Sequence, residues 1–289
     1  MQDATLIGTL PYTPPYDWGW MFAFLSRRSV SHIEVCSPEG FMRTLSLAGR
    51  TGWVRISPGQ EGASVWAGGD LVTAQKPVLA CVRRLFDLDA RPDDIMRHLD
   101  GLSRLRPGIR LPGSPSAFEF AVRAICEQQI STQAAVRLTG KLVARFGQPI
   151  ATPHAGLDRL FPDAQTLARH SVEEIAAVGL PKTRAAALHT LAKRVAHHPL
   201  DLEKPHDIEA GIAALQALPG IGPWTAGYIA LRGWSAPDIF LPTDAAVVKF
   251  FGGKRPQEIG ALSEAFRPYR SYALLQIWEE GDRPADDRK

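Results

Sequence analysis

The sequence predicts an α+β protein in which a small antiparallel-sheet domain precedes an all-helical domain. Short alternating runs separated by Gly- and Pro-containing turns fill residues 31–67, which is typical of an antiparallel meander. After residue 92 strand patterns nearly vanish, and apolar residues recur at helical spacing instead. We therefore predict an α+β domain over residues 1–92 and a helical domain over residues 93–289.

The elements of the first domain follow from their local patterns. A helix is predicted to begin near Asp17 and to run through the apolar segment of residues 20–25 to Arg28. Alternation and turn residues then predict four strands, at residues 31–36, 41–47, 53–56 and 64–66. A second helix is predicted over residues 77–88.

The second domain contains several helices separated by Gly- and Pro-rich turns. Apolar periodicity predicts helices over residues 116–127, 132–146 and 183–197. Thr132, Ser171 and Thr183 are predicted helix caps, and Ser171 with Glu174 fits a capping box.

Composition excludes several classes of protein. Hydrophobic residues make up 45% of the chain and charged residues 22%, which is ordinary for a soluble globular protein. There is no apolar run of the roughly 18 residues that a membrane span needs, and no signal-peptide pattern. The three cysteines are far apart and match no metal or redox spacing. We therefore expect a cytoplasmic protein that does not bind membranes.

Positive charge is concentrated in the middle of the chain. Residues 101–200 contain 13 Lys and Arg against 6 Asp and Glu, whereas the whole chain carries a net charge of only +3. Such a segment can bind a polyanion, or it can be the solvated face of amphipathic helices. Taken alone, the pattern favours the solvated face.

The most informative segment is residues 217–227, with the sequence ALPGIGPWTAG. One helix ends near Ala217, and Pro223 can begin the next in its first turn. Gly220 and Gly222 allow a tight turn and a close approach, so free amides at the helix start can hold a phosphate oxygen, while Ile221 would anchor the turn in the core. The alternative is an ordinary Gly-rich helix connection.

An aspartate in a Pro-x-Asp context lies twenty residues after Trp224, at Asp244. In isolation, Thr243 or Asp244 would be interpreted as a helix cap. Together with the preceding hairpin, it resembles the helix-hairpin-helix/Gly-Pro/Asp superfamily of base-excision DNA glycosylases. In that superfamily the aspartate lies at a helix start and faces the sugar of the extruded nucleotide.

Within the superfamily the chain is most similar to the bacterial 3-methyladenine DNA glycosylase II (AlkA) group. Four separated segments carry the resemblance: PPYDW at residues 14–18, RPGIRLPG at 106–113, LRGW at 231–234 and RPYRSYALLQIW at 267–278. The resemblance implies a TATA-binding-protein-like α/β domain, followed by two helical lobes with the active site in the cleft between them.

The resemblance also implies a function. The expected enzyme flips alkylated purines such as 3-methyladenine and 7-methylguanine out of double-stranded DNA and cleaves their glycosidic bond, with Asp244 as the catalytic carboxylate. The implied base pocket contains Trp224, Trp278, Tyr228 and Phe24, whose ring faces would attract a cationic base. Core packing is the alternative for Phe24 and Tyr228.

Further expectations concern catalysis class, DNA contacts and cofactors. Trp224 stands where superfamily members that nick the backbone carry a lysine, which implies a monofunctional enzyme. Gln129, with Gln128 before it, matches the loop that fills the gap left by the flipped base. The backbone carbonyls of Gln216, Leu218 and Ile221 match a monovalent-cation (Na or K) site.

We expect a monomer that needs no cofactor for catalysis and has no iron–sulfur cluster, since the cysteines do not supply four ligands. Two alternatives remain open at this point. One is a helix-hairpin-helix DNA-binding protein without catalysis, and the other is a bifunctional glycosylase/lyase.

Overall fold

The computed structural model describes residues 4–102, 105–197, 202–203 and 205–282. The first domain contains strands β1 (Thr5–Leu10), β2 (Glu34–Ser37), β3 (Gly40–Leu47), β4 (Arg50–Gly59) and β5 (Gly62–Gly69), with helices α1 (Trp18–Ser26) and α2 (Gln75–Leu85). The described part of the second domain contains α3 (Pro92–His98), α4 (Ala117–Glu127), α5 (Thr132–Phe146), α6 (Ala164–Arg169), α7 (Val172–Ala176), α8 (Lys182–His197), α9 (Ile208–Gln216), α10 (Pro223–Gly233), α11 (Ala245–Phe250), α12 (Pro256–Ser263) and α13 (Arg270–Asp282). The predicted α+β class and the order of the two domains are confirmed.

The sheet is antiparallel, with strand order β1-β5-β4-β3-β2. The β3–β4 hairpin turns at Ala48 and Gly49, whose φ angles of 53° and 72° suit the tight turns of two-residue hairpins. Strand β1 was not predicted. Its register shifts between Leu6 and Gly8, and its partner β5 is more than fifty residues away, so no local alternation reveals the pairing.

Helix α1 lies between the sheet and the helical domain. The carboxylate of Asp17 accepts a hydrogen bond from the amide of Trp20 at 2.8 Å and so caps the helix, which begins close to its predicted start. The helix packs against β2 and β3, and the indole of Trp20 also donates to Glu279 on α13 at 2.9 Å. Because α1 has neighbours on both sides, it is apolar on most of its surface.

Of the three predicted caps in the helical domain, one is confirmed and two are wrong. The capping box of Ser171 and Glu174 is confirmed. Helix α5 is capped by Ser131 rather than Thr132, whose hydroxyl donates instead to Glu127 at 3.0 Å. Thr183 is not a cap, because α8 begins at Lys182 and Thr183 already lies within its first turn.

A buried ion network joins the sheet to α4. Arg43 on β3 contacts Glu34 at 2.9 Å and Glu119 at 2.8 Å, and Arg123 on α4 contacts the same two carboxylates at 2.7 and 2.6 Å. Burial alone raises the pKa of Glu34, but Arg123 and Arg43 outweigh burial and hold that pKa below its ordinary value. The network fixes α4, whose C-terminal end reaches the candidate site. Among the described residues, no helix combines the length and apolarity needed to cross a bilayer.

Candidate active site

Asp244 lies at the start of α11 and is the centre of a hydrogen-bonded cluster. Its Oδ1 accepts from the backbone amides of Ala246 at 3.0 Å and Val247 at 3.4 Å, so the residue caps the helix. The capping interpretation is therefore correct, but it does not exclude catalysis. The side chain is half-buried, and its carboxylate lines a cavity.

Two tryptophans turn their indole N–H groups toward this carboxylate. Nε1 of Trp224, on α10, donates to Oδ2 at 3.1 Å, and Nε1 of Trp278, on α13, donates to Oδ1 at 3.1 Å. With the two backbone amides, these donors give Asp244 four hydrogen bonds. Hydrogen bonds to a charged acceptor are stronger than neutral ones, so the carboxylate has a fixed orientation.

Tyr228 packs between the two indoles. Its ring lies 4.9 Å from that of Trp224 and 6.0 Å from that of Trp278, measured between centroids. Burial raises the pKa of Tyr228, and the nearby carboxylate of Glu127 raises it further. The phenol is therefore protonated at neutral pH and can act as a hydrogen-bond donor.

These residues enclose a cavity of about 670 Å³, which is within the size range of small-molecule sites. Its described lining combines aromatic rings with charged groups: Arg28, Glu127, Thr132, Trp224, Tyr228, Asp244, Ala245, Ala246, Lys249, Phe250, Ile277, Trp278, Glu280 and Gly281. The structure thus brings together four of the predicted site residues, Asp244, Trp224, Trp278 and Tyr228.

Phe24 is placed elsewhere. Its side chain is buried in the core and is not part of the cavity lining. The guanidinium of Arg28 lies 3.8 Å from its ring centroid, and that of Arg232 lies 4.9 Å away. Phe24 therefore packs against two guanidinium groups, of which that of Arg28 belongs to a residue of the cavity lining, while the Phe24 ring itself does not line the cavity.

The predicted helix-hairpin-helix consists of α9, a turn and α10. Gly220 in the turn has φ +84°, and a Cβ on it would lie 2.6 Å from Cβ of Ala187 on α8, so both its conformation and its packing require glycine. Gly222 differs from the prediction, because its φ of −86° is accessible to any residue. A Cβ there would meet no atom within 4 Å, so Gly222 keeps an outer surface clear.

A loop from the end of α4 faces the hairpin across a groove. Nε2 of Gln128 donates to the carbonyl of Gly220 at 2.9 Å and to the hydroxyl of Thr225 at 3.0 Å, which binds the loop to the hairpin. Gln129 is exposed at the tip with φ +57°, a left-handed conformation that is uncommon outside glycine. The groove between loop and hairpin reaches Asp244.

The three carbonyls predicted to hold a cation lie in the hairpin turn. The carbonyl of Leu218 accepts from the amide of Ile221 at 3.1 Å. The carbonyls of Gln216 and Ile221 accept no backbone hydrogen bond from the described residues, apart from any bond within a regular helix. Neutral oxygens with free lone pairs fit a monovalent cation, so the donor set is compatible with the predicted site.

Sequence reasoning missed several charged residues of the cavity, above all Arg28 and Glu127. Arg28 belongs to the segment after α1 and Glu127 ends α4, so nothing local connects either residue to Asp244. Asp238, the nearest acid before Asp244, is paired with Arg267 and Arg270 at 2.7 and 2.8 Å and does not line this cavity.

The fold and the site define a helix-hairpin-helix protein with a carboxylate fixed in an aromatic cavity. Residues 8–116 match the AlkA N-terminal domain, and residues 122–260 match the HhH-GPD superfamily base excision DNA repair proteins. The chain is 38% identical over 279 residues to DNA-3-methyladenine glycosylase 2 of Escherichia coli (strain K12), covering 96% of this chain and 98% of that protein.

A second relative is similar in sequence, and a solved structure is similar in fold. A probable bifunctional transcriptional activator/DNA repair enzyme AlkA of Mycobacterium tuberculosis (strain ATCC 25618 / H37Rv) is 33% identical over 287 residues, covering 96% of this chain and 57% of that protein. The 3-methyladenine DNA-glycosylase of Archaeoglobus fulgidus has a similar fold, with a TM-score of 0.83 and 22% identity over 94% of this chain and 97% of that chain. The chain belongs to the HhH-GPD superfamily of base excision DNA repair proteins and has an AlkA-type N-terminal domain.

Proposed function

We propose that the protein is a monofunctional DNA glycosylase that removes alkylated purines, such as 3-methyladenine and 7-methylguanine, from double-stranded DNA. One observation carries the proposal: the carboxylate of Asp244, fixed by four N–H donors, lines an aromatic cavity of about 670 Å³. The substrate class is supported by the E. coli relative, whose name specifies 3-methyladenine.

The reaction requires the nucleotide to leave the base stack and enter the cavity. As the bond between C1′ and the base nitrogen breaks, its electron pair goes to the base and positive charge develops on the sugar. Asp244 stabilises that charge, which appears only in the transition state. Water then adds to C1′ and releases a proton. Bases alkylated at N3 or N7 are already cationic and leave as neutral molecules, so they need no general acid.

DNA contacts are assigned to the hairpin and the facing loop. The hairpin turn around Gly220 to Gly222 offers backbone amides to a phosphate oxygen at the start of α10. Gln129 at the exposed loop tip is suited to fill the gap that the base leaves. A monovalent cation on the carbonyls of Gln216, Leu218 and Ile221 would add positive charge beside the same phosphate. We propose that the enzyme acts as a monomer in the cytoplasm, without a catalytic cofactor.

The monofunctional assignment rests on the position of Trp224. A lyase needs an amine that attacks C1′, whereas Trp224 presents an indole N–H to Asp244. Lys249 is the lysine in the described cavity lining, but it is exposed on the far turn of α11. Trapping with borohydride on abasic DNA, compared between the wild type and Lys249→Ala, distinguishes the two classes. A trapped adduct that is lost in Lys249→Ala would identify a lyase.

The decisive experiment replaces the carboxylate. Asp244→Asn keeps the helix cap but removes the charge, so single-turnover base release should fall at least about a hundredfold while DNA affinity stays near that of the wild type. The matched control is Asp163→Asn, which makes the same change at the cap of α6 outside the cavity. Base release by Asp244→Asn within about tenfold of the wild type would contradict the proposal, and a wild type that binds DNA but releases no base would favour the non-catalytic alternative.

A further inference from the structure

The cavity contains a second polar surface besides Asp244, formed by Arg28 and Glu127. Both side chains are half-buried, and both line the cavity together with Tyr228. Arg28 comes from the segment after α1 and Glu127 from the end of α4. Their opposite charges shift the pKa of Tyr228 in opposite directions, Glu127 raising it and Arg28 lowering it.

Arg28 has donors that the protein does not satisfy. Its Nε is enclosed without an acceptor, and its Nη1 reaches only the carbonyl of Phe24 at 3.5 Å. Within the described residues no carboxylate lies within salt-bridge distance of Arg28. The other arginines nearby differ, since Arg43 and Arg123 are paired with carboxylates and Arg232 donates to Pro112 at 2.8 Å. The enclosed Nε is out of a ligand's reach, but the terminal N–H groups of the guanidinium belong to a half-buried side chain that lines the cavity, and they favour a ligand that brings an acceptor.

Glu127 likewise has acceptor capacity that the described residues do not use in an ion pair. One carboxylate oxygen accepts from the hydroxyl of Thr132 at 3.0 Å, and no described cation forms an ion pair with it. Glu127 is also the last residue of α4, where the helix dipole disfavours negative charge by about 0.3–1 kcal/mol. Helix stability therefore does not explain this residue, whereas an acceptor facing the cavity does.

We infer that Arg28 and Glu127 are specificity-determining residues that form hydrogen bonds with the Watson–Crick edge of the extruded purine. This inference rests on the proposed function. A 6-oxo purine such as hypoxanthine offers O6 to the guanidinium and N1–H to the carboxylate. A 6-amino purine presents the reverse order, an acceptor at N1 and a donor at its amino group, so it does not pair with both residues in the same pose.

The pair selects against purines whose edge is closed. In 1,N6-ethenoadenine a fused ring bridges N1 and N6, and no N–H remains to pair with Glu127. A site built to hydrogen-bond a donor discriminates strongly against an analogue that lacks it, because its own buried groups are left unpaired. Among neutral bases, the expected substrates are therefore 6-oxo purines with an open edge.

The test compares two bases that are both neutral at pH 7, so differences in charge cancel. Single-turnover excision of hypoxanthine and of 1,N6-ethenoadenine is measured in otherwise identical duplexes, with 3-methyladenine in parallel. The wild type should release hypoxanthine faster. In Glu127→Met, which removes the acceptor, and in Arg28→Met, which removes the donors, the ratio of the hypoxanthine rate to the ethenoadenine rate should fall at least about tenfold, the size expected for loss of a paired base-edge contact.

Glu280→Met is the matched control, because Glu280 lines the same cavity on α13 and the change removes the same charge and the same acceptor. It should leave the ratio within about twofold. A ratio in Glu127→Met equal to the wild-type ratio would overturn the inference, and this variant still tests it if Arg28→Met does not fold. A wild type that releases 3-methyladenine but not hypoxanthine would overturn it as well. If the wild type releases none of the three bases, the proposed function itself fails.

Discussion

Trp224 and Trp278 use the N–H edges of their indole rings in the structure, whereas the prediction concerned the ring faces. The resemblance to the AlkA group predicts that their ring faces bind a cationic base, because an indole face attracts positive charge. In the structure both N–H edges point at Asp244, at 3.1 Å each. The two tryptophans therefore position the carboxylate, and contact between their faces and a base stays a prediction.

Replacing Trp278 with Phe distinguishes the role of the indole N–H from the role of the aromatic ring face. Trp278→Phe keeps an aromatic face but deletes the N–H donor to Asp244. Excision of 3-methyladenine and of hypoxanthine should fall by the same factor, roughly tenfold, because a hydrogen bond to a charged group contributes about 1.5–3 kcal/mol. Trp278→Leu removes the face too, so the rate on the cationic base should then fall further than that on the neutral base.

Single-turnover rates on the two lesions, measured well below the melting temperature of each variant, decide the outcome. If Trp278→Phe retains the wild-type rate on both lesions, the N–H group has no positioning role. If Trp278→Leu lowers both rates equally, the face does not select charge.

At the scale of elements, the hairpin turn shows that its two glycines have different roles. Gly220 packs against Ala187 with a positive φ, whereas Gly222 has an ordinary φ and open space around it. Replacing both together would therefore confuse a folding defect with a binding defect. Only Gly222 tests the DNA contact cleanly.

Gly222→Ala should fold normally and bind every duplex more weakly, since a methyl group would stand where a phosphate approaches the free amides. Phosphate contacts carry no sequence information, so the loss should be similar for damaged and undamaged DNA. Binding isotherms at several salt concentrations, together with thermal melts, measure both effects. Gly260→Ala on α12, where a Cβ also has free space, is the control. Unchanged affinity in Gly222→Ala would exclude the hairpin from the DNA contact.

The sequence could predict those elements whose signals are local. The start of α1 near Asp17 and the capping box at Ser171 depend on residues close together in the chain, and both predictions are confirmed. Strand β1 was missed because its partner is distant in the chain. The cap of α5 was placed one residue late, since both Ser131 and Thr132 can cap and only packing decides between them.

The site residues likewise fall into those with a local sequence signal and those without one. Asp244 and the two tryptophans were found because motifs at a recognisable spacing carry them. Arg28 and Glu127 were not, because the segment after α1 and the end of α4 come to the same cavity only in the folded molecule, in which the ion network joins Arg43 to α4. A pairing across about 100 residues leaves no periodic signal in the sequence.

At the scale of the whole molecule, Asp87 connects both domains. It follows α2, and its Oδ2 accepts from the hydroxyl of Tyr272 on α13 at 2.8 Å and from the amide of Leu111 at 2.9 Å. Burial raises the pKa of Asp87 from 3.8 to about 6, although both hydrogen bonds and the charge of Arg110 lower it. The charged form of this carboxyl is therefore disfavoured in the folded protein.

This shift gives a direction for the effect of pH on stability. Because the folded pKa is above the unfolded one, the contribution of Asp87 is fully present below about pH 4 and is lost as pH rises through about 6. Asp87→Asn cannot titrate, so its melting temperature should rise relative to wild type between pH 4 and pH 7, by on the order of 5 °C. Asp89→Asn, an exposed neighbour paired with Arg83, should show no such trend. Melting curves of Asp87→Asn and wild type that stay parallel across this range would show that Asp87 does not titrate with a raised pKa in the fold.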